Sequence, residues 1–329
     1  MDRLTVTETT WREMDAWMIA GPELEVVVTK IGAHLAAVRV PGEELNPLWQ
    51  PPWKATTPEE GAARPAVYGD GPEAALLAGI VGHNLCLDRF GPPWHGERRP
   101  VHGEAGVSRW NPDTGRPDRV TLSVRLEEAG LRVGRAFEIE GDRLVVTTSV
   151  VHASDSPRTI EWAEHVTIGD PFLDRAVFEA DADGAWLFGD EPREDGRFPD
   201  TEPEAAVDPN AVLAMPAGEE PRAVGDIATV GLRRGGFRAI REDLGRALEY
   251  EWNADEFPWL CVWTQHRSRT APPWNGRTRA RGMEFSTKPF PEGEPPPERS
   301  QTFHDRPVTC IVPPGPGLSR SFVLRWGSA

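Results

Sequence analysis

Along most of the chain apolar and polar positions alternate with a period of two, which places side chains on the two faces of extended strands. Residues 23–30 (ELEVVVTK), 35–40 (LAAVRV), 119–126 (RVTLSVRL), 131–140 (LRVGRAFEIE) and 143–152 (RLVVTTSVVH) read as strands rich in Val, Thr and Phe. Gly141-Asp142 predicts a hairpin turn between the last two. Further strands are expected at 159–169, 176–180, 247–252, 259–266, 279–286 and 321–326. Helical patterning is sparse. The sequence DGPE at 70–73 followed by AALLAGIVG offers a cap, a Pro in the first turn and an apolar run, and 239–247 is a second short candidate. Many short strands with turns between them, and no repeat of 20–50 residues, predict an all-β fold: one large antiparallel β-sandwich domain over 1–329.

The segment 189–225 breaks the pattern. It holds ten acids, three Arg and six Pro, and so carries −7 of the chain's −16 charge. It reads as an acidic surface excursion within the domain, and 292–299 (EGEPPPER) as a second Pro-rich loop. An acidic surface argues against a nucleic-acid backbone or an anionic membrane as partner. Apolar stretches fall far short of the about 18 residues a membrane span needs. The N-terminal MDRLTVTETTW lacks the basic-then-apolar order of a signal peptide. Cys86, Cys261 and Cys310 form neither a CxxC pair nor a disulfide framework, which fits a reducing cytoplasm. The 329 residues include 13 Trp against 2 Tyr. Trp suits a β core, and its flat face also suits the C–H face of a pyranose ring.

Three segments carry candidate chemistry. In 82–110, mostly irregular backbone between strands, dense in Gly, Pro and His, could bring Arg89 and His102 into one cleft, with Trp94 and Trp110 as apolar walls. Its His83, His95, His102 and Glu104 match no zinc spacing, and no metal site is expected. In 161–174 (EWAEHVTIGDPFLD), Glu161, Ala163, His165 and Thr167 share one strand face and Trp162, Glu164, Val166 and Ile168 the other. His165 titrates in the range useful for a proton shuttle. In 259–291, Glu284 stands between Met283 and Phe285, where half-burial would raise its pKa toward that of a general base. Arg277, Arg279 and Arg281 fall on the opposite face unless a bulge at Gly282 turns them. They suit ion pairs with the acidic loop or anionic substrate groups.

A His and a Glu on separate strands suit mutarotation of a free sugar. A base takes the anomeric O–H proton while an acid protonates the ring oxygen; the ring opens, rotates and closes on the other face. No metal, nucleotide or other cofactor is required. GxSxG, P-loop and strand-linked GxGxxG motifs are absent from the sequence.

IGAHLAAVRVPGEELNPLW, LCLDRFGPP…VHGEAGVSRW, EWAEHVTIGDPFL and RGMEFSTKPFP resemble, in that order, segments of the aldose 1-epimerase (galactose mutarotase-like) superfamily, including its hexose-6-phosphate mutarotase branch. The resemblance implies a two-sheet β-sandwich with its site in the concave face of one sheet. It implies Glu284 as general base, His165 as general acid, His102 near the sugar ring oxygen, and Arg89 on sugar hydroxyls or an acidic group. Trp263, Gln265 and Arg281 are further expected sugar contacts from the third segment. The family's substrate-binding Asp has no clear counterpart; Asp226 is at a plausible distance in a different context. A cytoplasmic isomerase is the leading expectation. A catalytically silent sugar-binding protein, an epimerase of sugar phosphates or uronates, and a metal-dependent sandwich enzyme stand beside it.

Overall fold

The computed structural model describes residues 4–113, 119–189, 196–198, 202, 204–295, 297–299 and 301–329. Among these, the alternating segments form an antiparallel sheet of 11 strands and another of 8, with a small two-stranded hairpin beside them. Leu131–Glu140 and Arg143–His152 pair across the Gly141-Asp142 turn, where Gly141 takes a φ of +62° that a side chain would resist. The centre of the larger sheet runs, in spatial order, His83–Asp88, Arg158–Gly169, Arg279–Ser286, Trp259–His266 and Val224–Leu232. One face of these strands, with Trp162, Val166, Met283 and Phe285, packs on Leu122, Val146, Tyr250 and Phe322 of the smaller sheet in one apolar core. Their other face points away from that sheet. The predicted helix forms at Ala74–Gly79 and covers part of this outer face; Glu73, not Asp70, stands at its N-cap, without a side-chain capping bond.

One helix candidate differs from the pattern-based expectation. The 239–247 helix candidate is instead strand Gly236–Arg241, a single 3₁₀ turn at Glu242–Leu244 and strand Arg246–Trp252. Alternate burial of Phe237, Ala239 and Arg241 explains it: tertiary packing rewards the period of two. The 82–110 segment opens with a regular strand, His83–Asp88, and is irregular from Arg89 to Trp110. Every residue of the strand is buried, so no polar alternation marked it. Of the acidic 189–225 segment, residues 190–195, 199–201 and 203 lie outside the described residues. In the described remainder Glu202, Glu204, Asp208 and Glu219 are exposed, while helix Pro209–Leu213 buries Val212 and Leu213 and Arg197 reaches Asp226 at 2.8 Å. Cys86, Cys261 and Cys310 are free and buried. No helix among the described residues is long and apolar enough to cross a membrane.

The core between the sheets holds charge. Arg135, on the smaller sheet, donates to Glu164 Oε1 at 3.1 Å and Oε2 at 2.8 Å, and His83 Nε2 meets the same carboxylate at 2.8 Å. All three side chains are essentially inaccessible. Elsewhere His34 is buried beneath the Gly32 turn, and desolvation lowers its pKa to about 3. The unfolded chain protonates this imidazole near pH 6.5, so between about pH 6.5 and 3 the unfolded state binds one more proton than the folded one. Stability is therefore expected to fall on acidification through that window, by at most about 1.4 kcal/mol per pH unit from His34. Urea melts at pH 7.5, 6 and 5 on the wild type and His34→Gln check this. The variant should show the shallower pH slope.

Candidate active site

On the outer face of the larger sheet lies a cavity of about 400 Å³. His165 and Glu284 sit opposite one another in register on neighbouring strands, and both side chains point into it. His165 Nε2 lies 3.2 Å from Glu284 Oε1, and His165 Nδ1 lies 3.1 Å from Thr167 Oγ1. Gly282 makes room for this arrangement. A Cβ there would stand 2.3 Å from Glu284 Oε1. The strand keeps continuous register through Gly282, so no bulge turns Arg281 toward the cavity.

His102 enters from the loop after His83–Asp88. Its backbone is left-handed at φ +64°, and Gly103 follows at φ +78° with the Leu87 carbonyl only 2.3 Å from where a Cβ would stand. That close approach requires glycine and fixes the loop path. The Gly91 N–H donates to His102 Nδ1 at 3.1 Å. The ring proton of a neutral His102 is then on Nε2, available as a donor. The His102 and His165 rings meet edge-on at 5.2 Å, and Trp263 lies 6.3 Å from His165.

Burial sets the protonation of these groups. Desolvation pushes Glu284 well above the ordinary carboxylate range, with the charge of Arg269 pulling the other way. Desolvation, then the neighbouring His102, hold His165 well below the usual imidazole value. His102 is lowered to about 4 by desolvation and by Arg269. Both shifts in the His165–Glu284 pair favour its neutral form: a carboxylic acid donating to Nε2, with Nδ1–H donating to Thr167.

Of the residues singled out in the sequence, the cavity gathers Glu284, His165, His102 and Trp263. It does not gather the rest. Arg89 turns away to hold Glu97, with Nε 3.1 Å and Nη2 2.6 Å from its carboxylate oxygens, and stacks on Trp94 at 4.2 Å. Trp94 is thereby occupied by Arg89 instead of walling the cavity. Trp110 is a core residue, donating to the Ala105 carbonyl. Gln265 lies on the outer face but outside the cavity, accepting from the Ser268 N–H at 2.9 Å. Arg281 is fully buried on the core face, bonded to Thr264 and the Leu213 carbonyl. Arg279 pairs with Asp170 at 3.1 Å, and Asp226 is taken by Arg197. His83 is held by Glu164, and Glu104 accepts from the Glu128 and Ala129 N–H groups, so neither joins His102 in the cavity.

Sequence reasoning passed over Arg269, Trp274 and Trp49. Arg269 sits at the cavity mouth, 3.1 Å from Glu73 and over the rings of Trp263 and Trp274 at 5.5 and 5.0 Å. Trp274 stacks on Trp49 at 5.6 Å. The available signal was an Arg and a Trp in one Pro-rich loop, RSRTAPPWNG, joining the Trp263 and Glu284 strands.

A two-sheet antiparallel sandwich with an outward-facing carboxyl–imidazole pair at its centre is the class these features define. No family model matches the sequence, and no curated protein matches it. Solved structures do match the fold along the whole chain. A galactose mutarotase related enzyme from Lactobacillus acidophilus has a TM-score of 0.63 at 14% identity, covering 95% of this chain and 97% of that one. A galactose mutarotase-like protein from Clostridium acetobutylicum gives 0.64 at 14% identity, with 99% of each chain covered. Another from Lactobacillus casei gives 0.59 at 12%, covering 95% and 100%. The chain has the galactose mutarotase-like fold.

Proposed function

We propose that this protein is a cofactor-free aldose mutarotase. The observation that carries the reading is the buried His165–Glu284 pair in a cavity walled by tryptophan. The names of the structural neighbours support it. Shifting the shared proton from Glu284 to His165 Nε2 turns the neutral pair into a carboxylate and an imidazolium without changing its net charge. The carboxylate takes the anomeric O–H proton as the imidazolium gives its own to the ring oxygen; the open aldehyde rotates about C1–C2, and the roles exchange on closure. Thr167 fixes the His165 tautomer, and the Nε2–H of His102 is placed to donate to a sugar oxygen. Burial raises the carboxyl's hold on its proton and lowers the imidazole's, so the pair rests neutral and separates charge only as the proton is passed on. A protein that only bound sugar would have no use for an ionisable pair held at a cost in stability. The three arginines that pointed to phosphorylated or acidic sugars lie outside the cavity or on the core face.

The test is anomeric exchange by NMR saturation transfer with neutral aldoses, their 6-phosphates and uronic acids. Exchange of a neutral aldose, reduced about 10²–10⁴-fold in His165→Asn, is the expected result. Line broadening on binding without faster exchange would instead support a sugar-binding protein. Gly282→Ala is expected to lower exchange by about 10²-fold or more while the variant still unfolds cooperatively, because a methyl group at 282 displaces the Glu284 carboxyl. Kinetics beside a thermal melt would check it.

A further inference from the structure

A second acid–base pair lies behind the first. Glu161 stands four residues before His165 on its strand, and Lys288 four residues after Glu284, just beyond the end of its own. Because these strands run antiparallel, both residues fall at the same end of the sheet. Both are buried, and Lys288 Nζ donates to Glu161 Oε1 at 2.8 Å. Its other two protons go to the Glu292 and Gly293 carbonyls, at 2.7 and 3.2 Å, which saturates the ammonium and holds the loop that follows the Glu284 strand. The second carboxylate oxygen of Glu161 serves the loop that carries His102: Oε2 accepts the Phe90 N–H at 3.0 Å.

Phe90 and Gly91 are the residues that clamp His102. The Phe90 ring stacks on the imidazole at 5.8 Å, with the planes 30° apart. The Gly91 N–H donates to His102 Nδ1 at 3.1 Å, and the Gly91 carbonyl accepts the His102 N–H at 2.8 Å. Gly91 also presses on the loop that Lys288 holds: at its φ of +118°, a Cβ would collide with the Pro291 carbonyl. The clamp is therefore fixed from two sides, by Glu161 through the Phe90 N–H and by Lys288 through the carbonyls of residues 292 and 293. Stability alone is a weak reason for the pair, since a buried ion pair contributes little that apolar residues of similar volume would not. What apolar residues do not supply is the acceptor for the Phe90 N–H.

We infer, on the mutarotase reading, that Glu161 and Lys288 are positioning residues for His102: together they hold the Phe90–Gly91 clamp that keeps the ring proton on Nε2, ready for a sugar oxygen. Neither residue lines the cavity, and the contacts of His165 with Glu284 and Thr167 do not pass through them. Loss of the Phe90 acceptor therefore weakens sugar binding more than it slows the proton transfers.

The experiment compares two uncharged double variants that differ only in that acceptor. The apolar variant is Glu161→Leu with Lys288→Met, and the amide variant is Glu161→Gln with Lys288→Met. Nitrogen-15 NMR of the histidine rings reads the His102 tautomer, with its signals assigned by their loss in His102→Gln. Thermal melts read folding, and saturation-transfer kinetics with the sugar that exchanges fastest read KM and kcat. The apolar variant is expected to melt cooperatively, to show both tautomers of His102, and to raise KM about tenfold with kcat within about threefold of wild type. The amide variant should keep the Nε2–H tautomer and most of the affinity. Glu161→Asp, which retains the charge but shortens the reach to the Phe90 N–H, should mix the tautomers as the apolar variant does, and it decides the question if that variant does not fold. A wild-type tautomer and KM in the apolar variant and in Glu161→Asp, or equal losses in the apolar and amide variants, overturns the inference. The tautomer is read without substrate, so absence of exchange with every sugar overturns the mutarotase reading while the nitrogen spectrum still decides the positioning of His102.

Discussion

Glu284→Gln is expected to make the protein more stable and catalytically silent at once. In the folded protein the carboxyl has its pKa raised by burial, so it binds a proton in the native state at pH values where the unfolded chain, with an ordinary Glu, has lost it. The cost therefore appears above about pH 4.3 and grows as pH rises toward the folded pKa, at about 1.4 kcal/mol per pH unit. Gln keeps the shape and keeps a donor for His165 Nε2, but it has nothing to ionise. At pH 7 the variant should gain about 1–3 kcal/mol, with the gain shrinking toward pH 4.5. Anomeric exchange should fall at least about 10²–10⁴-fold, since the amide cannot accept the anomeric proton. Thermal melts at pH 4.5 and 7, paired with exchange rates, read both effects. A destabilised variant at pH 7 would show that Glu284 is held for packing and not for its proton.

Replacing Glu164 is the change expected to cost most stability. Its carboxylate accepts both prongs of Arg135 and a contact from His83, with no solvent to take its place. Arg135 links the two sheets through this contact, directly behind His165 in the chain. Glu164→Gln leaves a guanidinium in the core without its counter-charge, and the expected loss is about 3–5 kcal/mol. Substituting both partners with apolar residues of similar volume, Arg135→Met with Glu164→Leu, should recover most of it. Urea denaturation of the two variants and wild type makes the comparison. A single variant within 1 kcal/mol of the double variant would mean the pair is not the uncompensated charge described.

The sandwich was legible because period-two alternation survives wherever one strand face meets solvent, as in Arg143–His152 with its strictly alternating burial. Two strands covered on both faces were not legible. His83–Asp88 and Val224–Leu232 sit mid-sheet, buried on both faces, and carry no alternation that marks them as strands. Glu284 and His165 were legible because a carboxyl between Met and Phe, and a histidine on a mixed strand face, are unusual placements. Arg89 was misleading for a physical reason: Glu97, eight residues on, satisfies its guanidinium within the same loop. Such a local partner cannot be told from a distant ligand by residue type. Arg269 and Trp274 reach the cavity only through the path of their loop, which hydrophobic periodicity does not encode.

If Glu284 and His165 act together on one sugar, a double-mutant cycle reads their coupling. Exchange rates would be measured for wild type, Glu284→Gln, His165→Asn and the double variant, each with the sugar that exchanges fastest. If the two groups push and pull in one step, each single variant loses nearly all of the acceleration and the double variant is no slower than the slower single one. A single variant that keeps the wild-type rate, or losses that multiply in the double variant, would contradict the account.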